Sequence, residues 1–296
     1  GGLCLVAWRA RRPSLRRWLP VVAGGLVILL AGVSLRAQAN APRYGLAGQG
    51  YRAVLAEIER QSQPADAIVT LAPYHYHIPM NHYRGRLPLY GFAQEAMPPR
   101  PEVVRLLQQA SHRSARLWLV TSGWPPASPD NGVERWLAAN AFKAGDTWYD
   151  DFRLVPFVTA ANLAEAQPLG VRLGEAIELV AARYTPHAAP GGTVAVELRW
   201  QVGTPLTMDY AVFVQLLDGA GQLHAQHNGQ PAGAYEPTSR WSPGEPVLDR
   251  HGLLLSPNLP RGDYTLIVGL YDPTSGQRLT TPTGQDHVVL ATMPVR

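Results

Sequence analysis

The feature that most constrains this chain is an uncharged apolar run over residues 18 to 35. At a rise of about 1.5 Å per residue, a helix of this length matches the hydrocarbon thickness of a bilayer. Five arginines precede the run: Arg9, Arg11, Arg12, Arg16 and Arg17. Because short arginine-rich loops stay in the cytoplasm, the pattern predicts a cytoplasmic basic loop over 9–17, a transmembrane helix over 18–35 and an extracytoplasmic chain after about residue 40.

Residues 1–8 are apolar again and do not begin with methionine. We interpret them as the tail of a preceding membrane segment. The chain is then expected to be the last piece of a longer protein of the bacterial cell membrane, in contact with membrane lipid. A second interpretation is a cleaved secretory signal, since Ala37-Gln38-Ala39 resembles a cleavage site. Arg36 beside that site and the length of the apolar run favour the membrane helix.

Charge and cysteine content exclude several functions. The chain has 26 basic and 22 acidic side chains. Five of the basic ones precede the apolar run, so the rest of the chain is close to neutral and no nucleic-acid partner is expected. The single cysteine, Cys4, lies before the run. The later residues therefore have no intrachain disulfide and no thiol nucleophile.

Helical and strand patterns alternate over residues 45–160. Helical spacing of apolar residues covers 50–61 and two further stretches, one from Pro101 and one from about Asp130 or Asn131. Apolar runs typical of buried strands cover 67–72, 116–121 and 152–158. This alternation predicts a three-layer α/β domain, Rossmann-like, with a mainly parallel sheet.

After a linker at about 160–169, the period of the pattern changes to two. In Thr193–Val202 one face carries Val194, Val196, Leu198 and Trp200, which predicts a strand with one buried face. Similar runs cover 177–182, 210–217, 247–255, 264–271 and 287–293, with turn signals between them. Several short strands of this kind predict an antiparallel β-sandwich over 170–296.

Two groups of residues are candidates for contact with an acceptor or a glycan. The first is an aromatic and histidine-rich loop after a buried strand, with one later tryptophan: Tyr74, His75, Tyr76, His77, His82 and Trp124. Ligands of open α/β sheets bind at the carboxyl ends of strands. Although two histidines at alternate positions can share an ion, no carboxylate or cysteine supports the set, and we predict no metal site.

The second group comprises Tyr235, Arg240 and Trp241, in a loop rich in proline and glycine. Aromatic faces suit the apolar faces of sugar rings, so the loop is a candidate platform. The alternative is a loop folded over the sandwich core. Phosphate-binding glycine loops, nucleophile elbows and zinc-protease helices are missing from the sequence. We therefore predict no catalytic residue and no cofactor in this chain.

Several motifs resemble one enzyme family. They are Leu117-Trp-Leu-Val120, Gly132-Val-Glu-Arg-Trp-Leu137, Asp209-Tyr-Ala-Val-Phe-Val-Gln-Leu-Leu-Asp218, Pro237-Thr-Ser-Arg-Trp-Ser-Pro-Gly244 and Gly262-Asp-Tyr-Thr-Leu-Ile-Val-Gly-Leu-Tyr-Asp-Pro273. With the basic loop and apolar run, the arrangement resembles the C-terminal region of bacterial multi-spanning GT-C type glycosyltransferases, of the protein mannosyltransferase and aminoarabinose transferase kind.

The resemblance implies a membrane enzyme that transfers a sugar from a polyprenyl-phosphate donor to an acceptor on the outer side of the membrane. In that family the acidic catalytic residue lies in an early outward loop, and no position of this chain matches the motif of that loop. The chain is thus expected to be a non-catalytic C-terminal part whose partners are an upstream transmembrane domain and a glycan or polyprenyl-phosphate sugar. The alternative is a single-anchor or secreted cell-envelope glycan-binding protein without enzymatic activity.

Overall fold

The computed structural model describes residues 30–34, 36, 49–71, 83–123 and 125–296. It divides into a first unit, Gly1–Gln49, and a second, Gly50–Arg296. In the first unit, residues 30–34 and 36 are helical. The membrane-anchored fold class is corrected here, because no helix among the described residues has both the length and the apolar character needed to cross a bilayer. Segments 1–8 and 9–17, and residues 18–29 and 35 of the predicted span, lie outside the described residues.

The regular elements alternate at first and are then almost all strands. Among the described residues the longer helices are α1 (Gln49–Gln61), α2 (Pro101–Arg113) and α3 (Gly132–Asn140), and two single helical turns cover Pro231–Ala234 and Thr238–Arg240. The early strands are β1 (Asp66–Leu71), β2 (Leu89–Phe92), β3 (Arg116–Ser122), β4 (Phe142–Lys143), β5 (Thr147–Tyr149) and β6 (Phe152–Val158). The later strands are β7 (Gln167–Leu173), β8 (Ile177–Tyr184), β9 (Thr193–Val202), β10 (Ala211–Leu217), β11 (Leu223–Gly229), β12 (Val247–Leu254), β13 (Gly262–Tyr271) and β14 (Val288–Val295).

A ten-stranded mixed sheet runs through the whole second unit. Its strand order is β2-β1-β3-β6-β4-β12-β9-β8-β7, and β5 pairs with β6. The pairs β1–β2, β1–β3 and β4–β12 are parallel. The other pairs, among them β3–β6, β9–β12 and β8–β9, are antiparallel. The sheet therefore continues on both sides of residues 160–166, which form neither helix nor strand.

The prediction of a Rossmann-like domain with a mainly parallel sheet is wrong. After α3 the chain does not cross over to a further parallel strand. It forms the short strands β4 and β5, turns at Asp150, where φ is 56°, and returns as β6 antiparallel to β3. A tight hairpin reverses the chain, whereas a parallel neighbour requires a long crossover connection.

The two faces of this sheet are covered differently. Helix α1 packs on one face through Tyr51, Val54, Leu55 and Ile58, against a cluster that includes Trp118. On the opposite face, α2 and α3 contribute Leu107 and Leu137 to a cluster that includes Phe157. Facing residues on paired strands share a side of the sheet.

The face that α2 and α3 cover continues, further along the large sheet, under a second sheet. Phe157, Lys143 and His251 are register partners on β6, β4 and β12, so their side chains lie on this face. Beyond β12, the same face packs against a four-stranded antiparallel sheet of order β11-β10-β13-β14. The two sheets enclose one core, which contains Trp200, Val214 and Leu266. Two sheets packed in this way over 167–295 form a β-sandwich.

Gly252 marks the place where β12 passes β4. A β-carbon at this position would lie 2.9 Å from the Phe142 carbonyl oxygen, 2.9 Å from Ala144 Cβ and 3.1 Å from Val158 Cγ2. We expect Gly252→Ala to lower the free energy of unfolding by about 1–3 kcal/mol, the usual cost of overpacking. Urea denaturation followed by tryptophan fluorescence measures it. Gly219→Ala is the control, because nothing lies within 4 Å of its β-carbon position; equal losses in both variants would contradict the close approach.

Candidate functional site

A cluster of buried charges lies where the helical layer meets the second sheet. We call it the seam cluster: Glu134 on α3, Lys143 on β4, Asp146 after it and Arg153 on β6. Arg153 Nη1 donates to Glu134 Oε2 at 2.8 Å and Arg153 Nη2 to Glu134 Oε1 at 3.0 Å. Arg153 Nε also donates to Asp146 Oδ1 at 2.6 Å. The side chains of Arg153 and Glu134 are each only 1% exposed, so this is a desolvated bidentate pair.

Asp146 closes the seam cluster on the solvent side. Its carboxylate also accepts from Lys143 Nζ at 2.7 Å, and 30% of its side chain is exposed. Burial opposes ionisation of this group, but hydrogen bonds and charge from Arg153 and Lys143 outweigh burial and lower the pKa of Asp146. Two carboxylates and two cations thus balance each other.

A second buried polar group adjoins the seam cluster. We call it the histidine pair: His227 on β11 and His251 on β12, with Asp249 beside them. The two Nδ1 atoms are 2.7 Å apart, and His251 Nε2 lies 2.7 Å from Asp249 Oδ2. Asp249 also accepts from the Ala232 amide at 2.8 Å and from Trp200 Nε1 at 3.3 Å.

The environment of the pair keeps His227 neutral. Burial, followed by the charges of His251 and Lys143, holds the pKa of His227 well below its ordinary value. His227 is 6% exposed and His251 is 1% exposed. Because His251 is the register partner of Lys143, the histidine pair and the seam cluster form one continuous polar layer within the apolar interior.

Sequence analysis missed both groups. Their members come from strands and a helix that lie far apart along the chain, and no spacing motif joins them. One signal was present in the sequence. Asp249, His251 and Leu253 stand at every second position of a predicted strand, so all three lie on the face on which Leu253 is buried. A polar residue on the apolar face of a strand indicates a buried partner.

The sandwich carries an open polar cleft at its edge. We call it the sandwich-edge cleft; it has a volume of about 640 Å³ and lies between the β7–β8 pair and the segment before β14. Its polar lining consists of Arg172, Glu178, Thr281, Thr283, Gln285 and His287. Volumes of several hundred Å³ are typical of small-ligand sites.

Half of the six polar side chains that line the sandwich-edge cleft are paired with other described residues. Thr281 Oγ1 lies 2.9 Å from Thr283 Oγ1, and His287 Nδ1 lies 2.6 Å from Asp286 Oδ1. Arg172 and Glu178 are register partners across β7 and β8. Neither side chain makes a hydrogen bond or an ion pair with another residue in the described part of the chain. The cleft therefore offers a guanidinium donor and a carboxylate acceptor to a ligand.

The predicted sugar platform is spread over different environments. Trp241 is 4% exposed, belongs to the sandwich core, and donates from Nε1 to the Glu236 carbonyl at 2.9 Å. Arg240 next to it is exposed. Tyr235 is half-buried beneath the Arg135 guanidinium, 5.1 Å from the ring centre, and burial followed by the charge of Glu134 raises the pKa of its hydroxyl.

The other predicted contacts lie outside the described residues. These are Tyr74, His75, Tyr76, His77, His82 and Trp124. Among the residues that the structure does describe, no group of three or more histidine, cysteine, aspartate or glutamate side chains is arranged to hold a metal ion.

No protein-family model matches this chain, and no curated protein matches it. Among solved structures, it is similar to the C-terminal domain of Wzt, with 14% identity over 44% of this chain and 82% of that chain, at a TM-score of 0.31. A Niemann-Pick type C2 protein from the Japanese carpenter ant matches 45% of this chain and 100% of that chain, with 5% identity and a TM-score of 0.28. A calcium-binding mutant of Bacteroides uniformis beta-glucuronidase 2 matches 49% of this chain and 16% of that chain, with 12% identity and a TM-score of 0.26. These TM-scores are too low for the three similarities to support a fold family or a function for this chain.

Proposed function

We propose that this chain is the non-catalytic C-terminal part of a glycosyltransferase that uses a polyprenyl-phosphate sugar, and that its sandwich holds a glycan. The observation that carries the glycan contact is the sandwich-edge cleft, where Arg172 and Glu178 face the opening without side-chain partners in the described residues. The glycosyltransferase assignment comes from the family resemblance of the sequence motifs. The sugar transfer in this proposal takes place on the outer face of the bacterial cell membrane.

The chemistry of the cleft suits sugar hydroxyl groups. A hydroxyl both donates and accepts, so it can bridge a guanidinium, which only donates, and a carboxylate, which only accepts. Thr283 and Gln285 add groups that do both, and Val171 and Pro282 provide apolar surface beside them. Hydrogen bonds to charged groups are stronger than neutral ones and fix the orientation of the ligand.

Glycan binding is tested with the full chain on an array of bacterial polysaccharides, followed by titration calorimetry of any ligand found. We expect Arg172→Ala and Glu178→Gln each to weaken binding about tenfold or more, because each removes a charge-assisted hydrogen bond. Arg261→Ala is the matched control, since Arg261 is exposed and does not line the cleft. Binding to no polysaccharide, or binding that both cleft variants leave intact, would contradict the glycan contact.

The transferase assignment has a separate test. The coding region upstream of this chain is expected to encode the acidic catalytic loop that the family carries between its first membrane helices. A reading frame without that loop would contradict the assignment. Glycan binding in its absence would favour the alternative, a cell-envelope glycan-binding protein without enzymatic activity.

A further inference from the structure

The histidine pair joins the two sheets at an exposed edge. Strand β11 is the outermost strand of the four-stranded sheet. Of its seven residues, His227 alone is buried. Its ring reaches β12 of the large sheet, where its centre lies 4.9 Å from that of His251. The contact between His227 and His251 thus joins a largely exposed edge strand to the other sheet.

The geometry fixes where protons lie. At 2.7 Å the two Nδ1 atoms share a single proton. With both rings neutral, His251 donates from Nε2 to Asp249, and its Nδ1 therefore accepts from His227. One added proton keeps this bond, because His251 then donates from both nitrogens and His227 accepts at Nδ1. A second added proton places a hydrogen on each Nδ1, and two donors facing each other at this distance repel.

The surroundings give the second proton no compensation. From β4, the Lys143 ammonium adds positive charge, and Asp146 is bound to it and to Arg153. On β12, Asp249 already accepts from three donors. The register partners of the two rings on the neighbouring strands are apolar, Val214 on β10 and Val196 on β9.

We propose that the histidine pair is a proton-dependent contact that holds β11 against β12 at neutral pH and releases this edge strand in acid. The sign follows from linkage. Once released, His227 is in water and titrates near its ordinary pKa of about 6.5, whereas in the closed state its pKa is depressed. The released state therefore binds more protons below about pH 6.5, and the ratio of released to closed molecules rises by up to about tenfold per pH unit.

Hydrogen exchange of the full chain between pH 7.5 and 5, corrected for intrinsic exchange rates, tests this inference. Protection of the β11 amides is expected to fall with pH while that of β13 remains constant. In His227→Asn the pH dependence of β11 should disappear, because an amide can still donate to His251 Nδ1 and carries no charge. The matched control is His224→Asn on the same strand, which removes the partner of Asp218 and should leave the β11 profile unchanged.

If His227→Asn does not fold, measurements on the wild-type protein test the proton-dependent contact instead. Nitrogen-15 NMR of the imidazoles should show a ring that remains neutral through pH 6 and a single proton between the Nδ1 atoms. Parallel loss of protection in β11 and β13 would overturn the inference, as would a His227 ring that is charged while β11 stays protected. Equal effects of the two asparagine variants would also overturn it.

Discussion

Replacing Arg153 with methionine is expected to lower the free energy of unfolding by about 3–5 kcal/mol, the usual cost of removing one partner of a buried ion pair. Arg153 is the cation for both Glu134 and Asp146. Glu134 is fully buried, and its carboxylate would be left with the Asn131 amide at 2.8 Å as its remaining side-chain donor. An uncompensated charge in the interior is the main reason for the loss.

Urea denaturation at neutral pH measures this loss. Arg105→Met is the matched control, since Arg105 is exposed on α2, and we expect a change within about 0.5 kcal/mol. The double variant Arg153→Met with Glu134→Gln should recover part of the stability, because it removes the stranded charge. A loss below about 1 kcal/mol for Arg153→Met would contradict the burial of the seam cluster.

Replacing Trp200 with alanine is expected to cost about 3–5 kcal/mol, the range for truncating a large buried aromatic side chain. Trp200 lies on β9, is 0% exposed and belongs to the core between the two sheets. Its indole nitrogen also donates to Asp249 at 3.3 Å. The variant therefore leaves a cavity and removes one donor from the carboxylate that orients His251.

The matched control for Trp200→Ala is Trp148→Ala on β5. Trp148 is 50% exposed, and the Arg153 guanidinium lies 5.8 Å from the centre of its ring. Half of the indole surface is in water although the guanidinium is buried, so this cation–π contact contributes about 0.5–2 kcal/mol and the control should lose no more than that. The midpoints of urea denaturation of both variants measure these losses. Similar losses would mean that Trp200 does not fill the core of the sandwich.

Sequence periodicity located most of the helices and strands, but it did not predict which strands pair with one another in the sheet. The alternation in Thr193–Val202 and the helical spacing after Pro101 each correspond to one element of the structure. The pairing was misjudged because strands β4 and β5 have only two and three residues. Such short strands carry no detectable period, yet they turn the chain so that β6 runs antiparallel to β3.

The buried charges were beyond the reach of pattern analysis for a related reason. Hydrophobic periodicity treats charged residues as solvent-facing. Arg153 and Lys143 are both buried, because their partners Glu134 and Asp146 compensate for lost hydration. Those partnerships are set by the packing of α3 over β6 and β4. For the loop that contains Tyr235, Arg240 and Trp241, by contrast, the sequence left open the alternative of a loop folded over the sandwich core, and Trp241 belongs to that core.

The position of β12 between β4 and β9 has a consequence for synthesis of the protein. A ribosome completes α1 through β9 well before Val247–Leu254 leaves the exit tunnel. Until then, one side of β9 and one side of β4 have unpaired backbone amides and carbonyls, which can pair with other chains. Assembly of the sheet must therefore wait until β12 has been synthesised.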